Sequence, residues 1–375
     1  MKGILVFIFV LSVFIHQSQA QCNSTNCVGP ACRCMSTSPP GNLALANTPQ
    51  LVFLTFDGAI TTTNFNNYTY LLNNRFNPNG CPIGMTFFIF HEYNDYTLTH
   101  NLYHKRQEIS THSMSHLTPA ASWANKSVNE WVDEIGGIKE ALSKFANIPK
   151  TGIRGERAPF LQSSGDATFT AMKNLSMFYD CSFPSTAHTN PPIWPYTLDQ
   201  GFQHDCLIPP CPKNKYTGIW TVPMVALNRN GTVCSMADAC DNPKTLDETY
   251  EYLKSNFDRH YTTSKAPFGV SLTANGWFTS GSYRLEGYKK FLDYLSIKDD
   301  VYIVPIARGL DWMKNPKPLA EVPAFFDCPT MTQTSCSSYS CYYEGESSPV
   351  GPRIMKSCVR CPDVYPWTGN PLGIA

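Results

Sequence analysis

The sequence has no excess of charge of either sign. Its 29 Lys and Arg residues balance 29 Asp and Glu residues, giving a net charge of +0 at pH 7, and no basic run stands out. Charged residues make up 15% of the chain and aromatic residues 13%. Proteins that bind nucleic acid or anionic membranes usually carry a basic patch. The composition therefore argues against both partners and suits a secreted protein that handles a neutral ligand such as carbohydrate.

Long apolar runs are absent after the N-terminus. Residues 1–20 combine Lys2, an apolar stretch over residues 4–15 and a small-residue site at Ser18-Gln19-Ala20, which is the pattern of a secretory signal peptide. That stretch is too short to span a bilayer, although an uncleaved anchor is the alternative. Later apolar runs are strand-length and interrupted by polar residues. We therefore predict a secreted protein without a membrane-spanning segment.

Cysteine, in contrast, is abundant, and all fifteen cysteines follow residue 20. In an oxidising compartment this predicts a disulfide framework rather than zinc fingers, whose paired spacings occur only as isolated instances. Because fifteen is odd, one thiol is unpaired or bonded between chains, and we predict Cys181 to be free. Asn-x-Ser/Thr acceptors predict a glycoprotein; they are Asn23, Asn67, Asn125, Asn174 and Asn230.

Composition divides the chain into a signal peptide (1–20), a cysteine-rich leader (21–50), a main domain (51–320) and a cysteine-rich tail (321–375), with no internal repeat. We predict that the tail is disulfide-bonded to the main body or to itself; a separate carbohydrate-binding module is the alternative. In the main domain, apolar strands over residues 51–56, 85–90, 221–227, 268–272 and 301–306 alternate with helices over 128–145, 246–261 and 283–295. This alternation indicates a parallel sheet or barrel with functional groups at the carboxyl ends of strands.

Two histidines lie four residues apart, at His112 and His116, and Asp57 follows the first apolar run. On a helical turn, residues four apart share a face, so both imidazoles could meet one divalent cation with Asp57 as a carboxylate neighbour. Ordinary surface histidines are the alternative. The arrangement indicates a metal-dependent hydrolase.

Three motifs, in this order, resemble those of the polysaccharide deacetylases, carbohydrate esterase family 4, and especially animal chitin deacetylases. They are Thr55-Phe56-Asp57-Gly58-Ala59, His112-Ser113-Met114-Ser115-His116 and Arg157-Ala158-Pro159-Phe160, and the resemblance covers roughly residues 22–315. It implies an α/β fold, a distorted β/α barrel with disulfide-rich termini, and removal of acetyl groups from N-acetylglucosamine units of chitin. It also implies metal-assisted amide hydrolysis, in which a metal, commonly zinc, polarises the carbonyl and carboxylate and histidine groups move protons.

Carried over residue by residue, the resemblance makes His112 and His116 metal ligands and Asp57 the base. Arg157 then holds the base ionised through a charge-assisted contact, although a plain structural ion pair is the alternative. Aromatic side chains that could stack on sugar rings are Trp194, Tyr196 and Trp277. For these three residues the alternative is a place in the core.

Two departures from the family pattern change the expectation. A second aspartate, the carboxylate ligand of the metal, normally follows the first, and here Gly58 stands in its place. A histidine normally follows a late strand, and our alignment puts Thr273 there. We therefore expect zinc to be weak or absent and predict a secreted protein that binds chitin in an extracellular matrix, with catalysis lost or strongly reduced. The alternatives are an active zinc-dependent chitin deacetylase that uses Asp57 as ligand, and a structural matrix protein.

Overall fold

Thirteen short strands lie in residues 22–375, the part of the chain that this computed structural model describes. They are β1 (Gln50–Asp57), β2 (Thr86–Ile89), β3 (Glu108–Thr111), β4 (Gly155–Glu156), β5 (Tyr179–Asp180), β6 (Tyr196–Thr197), β7 (Trp220–Thr221), β8 (Leu227–Arg229), β9 (Thr232–Cys234), β10 (Phe268–Leu272), β11 (Val301–Ile303), β12 (Tyr339–Tyr343) and β13 (Arg353–Ser357). The predicted signal peptide, residues 1–20, lies outside the described residues.

Ten α-helices occur in the same residues. They are α1 (Thr62–Leu72), α2 (Tyr96–His104), α3 (Val128–Trp131), α4 (Gly137–Phe145), α5 (Asp166–Asn174), α6 (Leu246–Thr262), α7 (Ala274–Trp277), α8 (Ser282–Ser296), α9 (Ile306–Lys314) and α10 (Val322–Phe325). A π-helical turn, Val132–Gly136, joins α3 to α4. The helix predicted over 128–145 is therefore present with one wide turn inside it. Within residues 22–375, no helix is both long enough and apolar enough to cross a membrane.

Nine strands form one sheet, in the order β10-β1-β2-β3-β4-β5-β7-β6, with β11 paired to the beginning of β1. All neighbours run parallel except β6 and β7. The sheet curls into a half-barrel, which confirms the predicted α/β class and the distorted β/α barrel with its disulfide-rich termini. Its parallel strands bring their carboxyl ends, and the loops that follow them, to one edge.

β1 is buried on both faces, which explains its continuous apolar sequence. Leu51 and Phe53 pack in one buried cluster, whereas Val52, Leu54 and Phe56 pack in another. Because side chains alternate along a strand, the face of Leu51 and Phe53 continues through Thr55 to Asp57. The alternation of side chains along β1 therefore places Asp57 at the carboxyl edge of the sheet.

The prediction of one strand over residues 221–227 is wrong. The structure has β7 ending at Thr221 and β8 beginning at Leu227. Pro223 lies between them, and proline lacks the N–H that a strand ladder requires. The strands predicted over 51–56, 85–90 and 268–272 are present as β1, β2 and β10, and that predicted over 301–306 ends early, at Ile303.

Seven disulfides use fourteen of the fifteen cysteines, and Cys181 is the free one, as predicted. The bridges are Cys22–Cys34, Cys27–Cys32, Cys81–Cys328, Cys206–Cys211, Cys234–Cys240, Cys336–Cys358 and Cys341–Cys361. The tail is therefore bonded both to the body and to itself. Its Tyr343, Met355 and Tyr365 share a buried cluster with the helices and strands of the body.

We expect Cys81–Cys328 to contribute most to stability, because a disulfide that closes a longer loop removes more entropy from the unfolded chain. Its sequence separation is 247, against 5 for Cys206–Cys211. Replacing both cysteines of the long bridge by Ser should cost roughly 3 kcal/mol more than replacing those of the short bridge. Urea unfolding under non-reducing conditions measures both losses. Equal losses would contradict the loop-length argument.

Candidate active site

Arg157 lies at the centre of the site and is completely buried. Its Nη1 donates to Asp57 Oδ1 at 2.6 Å, so the predicted contact is present. Nη2 donates to Ser271 Oγ at 3.2 Å, and Nε donates to the Cys181 carbonyl at 2.8 Å. A charged side chain is buried at low cost only when its donors are satisfied. One guanidinium thus ties together the carboxyl ends of β1, β5 and β10.

The carboxyl group of Asp57 experiences two opposing effects. Burial raises its pKa, and the charge and hydrogen bond of Arg157 lower it. The effect of burial is the larger, so the pKa of Asp57 lies above its usual value. Arg157 therefore limits, rather than reverses, the tendency of Asp57 to take up a proton.

The two histidines meet as predicted, but not on a helix. They lie in the loop after β3, with ring centroids 4.9 Å apart, and His116 has a φ of 47°. His112 Nδ1 donates to the Arg157 carbonyl at 2.6 Å, which leaves Nε2 as the nitrogen with a free lone pair. Burial is the main cause that lowers the pKa of His112 to about 3 and that of His116 to about 4. Both imidazoles are therefore neutral at ordinary pH.

Glu134 shapes the histidine loop, and the sequence analysis missed it. Its Oε2 accepts from the backbone N–H groups of Met114 at 3.1 Å and Ser115 at 2.9 Å, and its Oε1 accepts from Ser115 Oγ at 2.7 Å. The π-helical turn carries this buried carboxylate, and such turns are frequent at functional sites. A signal was available, because an acidic residue three positions after Trp131 falls on the apolar face of the predicted helix.

The donor set does not fit a firmly held zinc ion. Zinc takes four protein ligands, or three and a water. His112 and His116 offer neutral nitrogens, but Asp57 is already engaged by Arg157 at 2.6 Å. Within residues 22–375, Asp57 belongs to no group of three potential ligand residues whose donor atoms all lie within 4.8 Å of one another. Weak zinc binding at the two histidines stays a prediction.

Trp194, Tyr196 and Trp277 do not line the site. Their exposed fractions are 0%, 0% and 2%, and each polar end is bonded internally, to the Ser264 carbonyl, His204 Nδ1 and Asn242 Oδ1 respectively. A ring without an exposed face cannot stack on a sugar. The expectation of three sugar platforms is therefore corrected, and these side chains belong to the core.

Phe160 is an aromatic side chain that does border the histidines. Its ring centroid lies 4.6 Å from that of His116, and 39% of the residue is exposed. Its φ of 55° is rare for a bulky side chain, and strain of this kind is concentrated at functional sites. Phe160 therefore forms an apolar wall beside the two imidazoles.

Comparison with known proteins identifies the family. No family model matches the chain. It is 40% identical to chitin deacetylase 8 of Bombyx mori over 94% of this chain and 93% of that protein, and 32% identical to chitin deacetylase 1 of Bombyx mori over 94% and 68%. A polysaccharide deacetylase structure from Mycobacterium smegmatis shares the fold, with a TM-score of 0.52 and 11% identity over 75% of this chain and 95% of the other. The chain belongs to the chitin deacetylases.

Gly58 occupies a position that has room for a side chain but a backbone conformation that is unfavourable for one. A Cβ built there would lie 3.7 Å from Phe90 Cε1, which is ordinary contact, whereas its φ is +125°. L residues rarely adopt that conformation. The backbone at position 58 therefore has a conformation that favours glycine.

Thr273 is the residue that our alignment puts at the position of the late histidine. It directly follows β10, in which Leu272 pairs with Phe56 of β1. The residue is exposed, but a hydroxyl group is a much weaker acid than an imidazolium ion. The two departures from the family pattern, Gly58 and Thr273, thus lie at the ends of neighbouring strands.

We expect Gly58→Asp to raise zinc affinity, because it returns a carboxylate next to Asp57 and close to both histidines. The gain should be at least about 10- to 100-fold, and the strained backbone should cost about 1–3 kcal/mol of stability. Gly58→Ala is the matched control, since it carries the strain without the carboxylate. Titration with zinc against a competing chelator measures the affinity. Equal affinity in the two variants would contradict the interpretation.

Proposed function

We propose that this protein is a secreted, chitin-directed member of the chitin deacetylases that binds chitin in an extracellular matrix, with catalysis lost or strongly reduced. The observation that carries the proposal is the grouping of Asp57, Arg157, His112 and His116 at the carboxyl edge of the sheet, next to Gly58, which has no side chain. These four side chains can still bind a ligand.

The chemistry of amide hydrolysis supports the loss of activity. The reaction needs a polarised carbonyl, a base for the attacking water and an acid for the leaving amine. Asp57 can serve as base or as a substitute metal ligand, but not as both at once. Thr273 supplies no effective acid, and the loss of a general acid alone costs about 10²- to 10⁴-fold. With both a metal ligand and a general acid missing, we expect little turnover.

Secretion is supported by the seven disulfides, which form and persist in oxidising compartments. Four of the five predicted glycosylation acceptors are exposed, namely Asn23, Asn125, Asn174 and Asn230, and Asn67 is partly exposed. Glycans on these side chains would not disturb the core. The protein therefore suits an extracellular setting, in which chitin is its proposed partner.

An active zinc-dependent chitin deacetylase is the second candidate, and one observation favours it. The contact from His112 Nδ1 to a backbone carbonyl is the arrangement that orients metal-binding histidines in proteins. In that case Asp57 would leave Arg157 to act as a ligand, and another group would serve as acid. A structural matrix protein that uses its tail for contacts is the third candidate.

Retention on insoluble chitin tests the proposed binding. We expect the protein to be retained on chitin and Phe160→Ala to weaken retention roughly fivefold, which corresponds to about 1 kcal/mol for one exposed ring. Phe76→Ala is the matched control, because Phe76 is also exposed, at 52% against 39% for Phe160, but lies before β2, away from the cleft. No retention of the unmodified protein would refute chitin binding.

Acetate release from chitin oligomers separates the binder from the enzyme. We expect no detectable release from zinc-supplemented protein, and a rise by up to about 10²- to 10⁴-fold over background when Gly58→Asp is combined with Thr273→His. Either change alone should do little, because each leaves half of the reaction unassisted. Release by the unmodified protein that is abolished by chelator and by His116→Ala would instead establish the active enzyme. A double variant that binds zinc but stays inert would show that the rest of the site is not intact.

A further inference from the structure

The loop between β9 and α6 forms a wall next to the site. The disulfide Cys234–Cys240 closes it, and one contact holds it against β10 and another against α7. The Ala237 N–H donates to the Ser271 carbonyl at 2.7 Å. Trp277 Nε1 donates to Asn242 Oδ1 at 2.8 Å. The loop is therefore fixed relative to the carboxyl ends of β1 and β10.

Asp238 lies in this loop and faces the same edge as Asp57. Its Oδ2 accepts from the Thr273 N–H at 3.0 Å, on the exposed side of the strand end. Thr273 and Asp57 follow directly on the paired residues Leu272 and Phe56, and neighbouring strands lie about 4.8 Å apart. Burial, and then the charge of Asp57, raise the pKa of Asp238, which is consistent with this proximity. The carboxyl groups of Asp57 and Asp238 thus lie near each other at the carboxyl edge of the sheet.

The carboxyl groups of Asp57 and Asp238 differ in how strongly their hydrogen-bond partners hold them. Asp57 is held by the charged Arg157 at 2.6 Å. Asp238 instead accepts from neutral groups, the backbone N–H of Thr273 and of Asp238 itself and the Thr273 side chain, and it is only partly buried. The sheet order also separates Asp238 from the histidines, because β10 flanks β1 on one side and β2 and β3 follow on the other. A ligand lying over Asp57 would therefore meet imidazoles on one side and Asp238 on the other.

We propose that Asp238 is a ligand-binding residue of the cleft that hydrogen-bonds the hydroxyl or amide N–H groups of an N-acetylglucosamine unit lying over Asp57. An ionised carboxylate accepts such bonds, and a protonated one can in addition donate to a sugar oxygen. This inference rests on the proposed chitin binding and adds the residue that orients the sugar opposite the histidines.

Calorimetric titration with an N-acetylglucosamine hexamer tests the role. Hydrogen bonds to charged groups contribute enough that Asp238→Ala should weaken binding about 10- to 100-fold. Asp238→Asn, whose amide oxygen can still accept from Thr273, should fold normally and weaken binding less, by about threefold or more. Asp241→Asn is the matched control, because Asp241 lies in the same loop but contacts Asn230 Nδ2 at 3.1 Å instead. It should bind as the unmodified protein does.

The outcomes are distinct. If the unmodified protein binds the hexamer and both Asp238 variants bind it as tightly as the unmodified protein does, the role of Asp238 is refuted. If Asp238→Ala fails to fold, Asp238→Asn decides, and unchanged binding by that variant also refutes it. If the unmodified protein does not bind the hexamer at all, the proposed chitin binding fails, and the role of Asp238 with it.

Discussion

The buried guanidinium of Arg157 is the interaction on which the rest of the site depends. Its side chain contacts groups at the carboxyl ends of β1, β5 and β10, and its own carbonyl orients His112. Removing one partner of a buried ion pair leaves an uncompensated charge, at a cost of about 3–5 kcal/mol. This explains how the Asp57–Arg157 pair can persist for structural reasons even without catalysis. Retention of these residues is therefore compatible with a protein that only binds.

The departures from the family pattern are local, and the scaffold around them is intact. Gly58 and Thr273 lie at the ends of neighbouring strands, while the histidine loop keeps its support from Glu134. The absence of a side chain at Gly58 does not open the core, because a Cβ there would only touch Phe90. Under the proposed function, the site has lost its chemistry but kept its shape, which suits recognition of an uncleaved polysaccharide.

The sequence predicted what depends on local pattern. The continuous apolar run of β1, the position of Asp57 at a strand end and the free thiol of Cys181 all follow from neighbouring residues or from counting. It did not predict what depends on distant contacts. The histidine loop is shaped by Glu134, some twenty positions later, and Asp238 reaches the site through Thr273, 35 positions away. Aromatic composition likewise could not tell the buried Trp194 from the exposed Phe160.

The most direct measurement of the central claim is a crystal structure of the protein with an N-acetylglucosamine hexamer, grown with zinc present. The account predicts a hexamer with every acetyl group intact, lying between Phe160 and the loop that carries Asp238, with zinc at most weakly occupied at His112 and His116. A deacetylated sugar over Asp57, or a fully occupied zinc ion with Asp57 turned away from Arg157 to bind it, would contradict it.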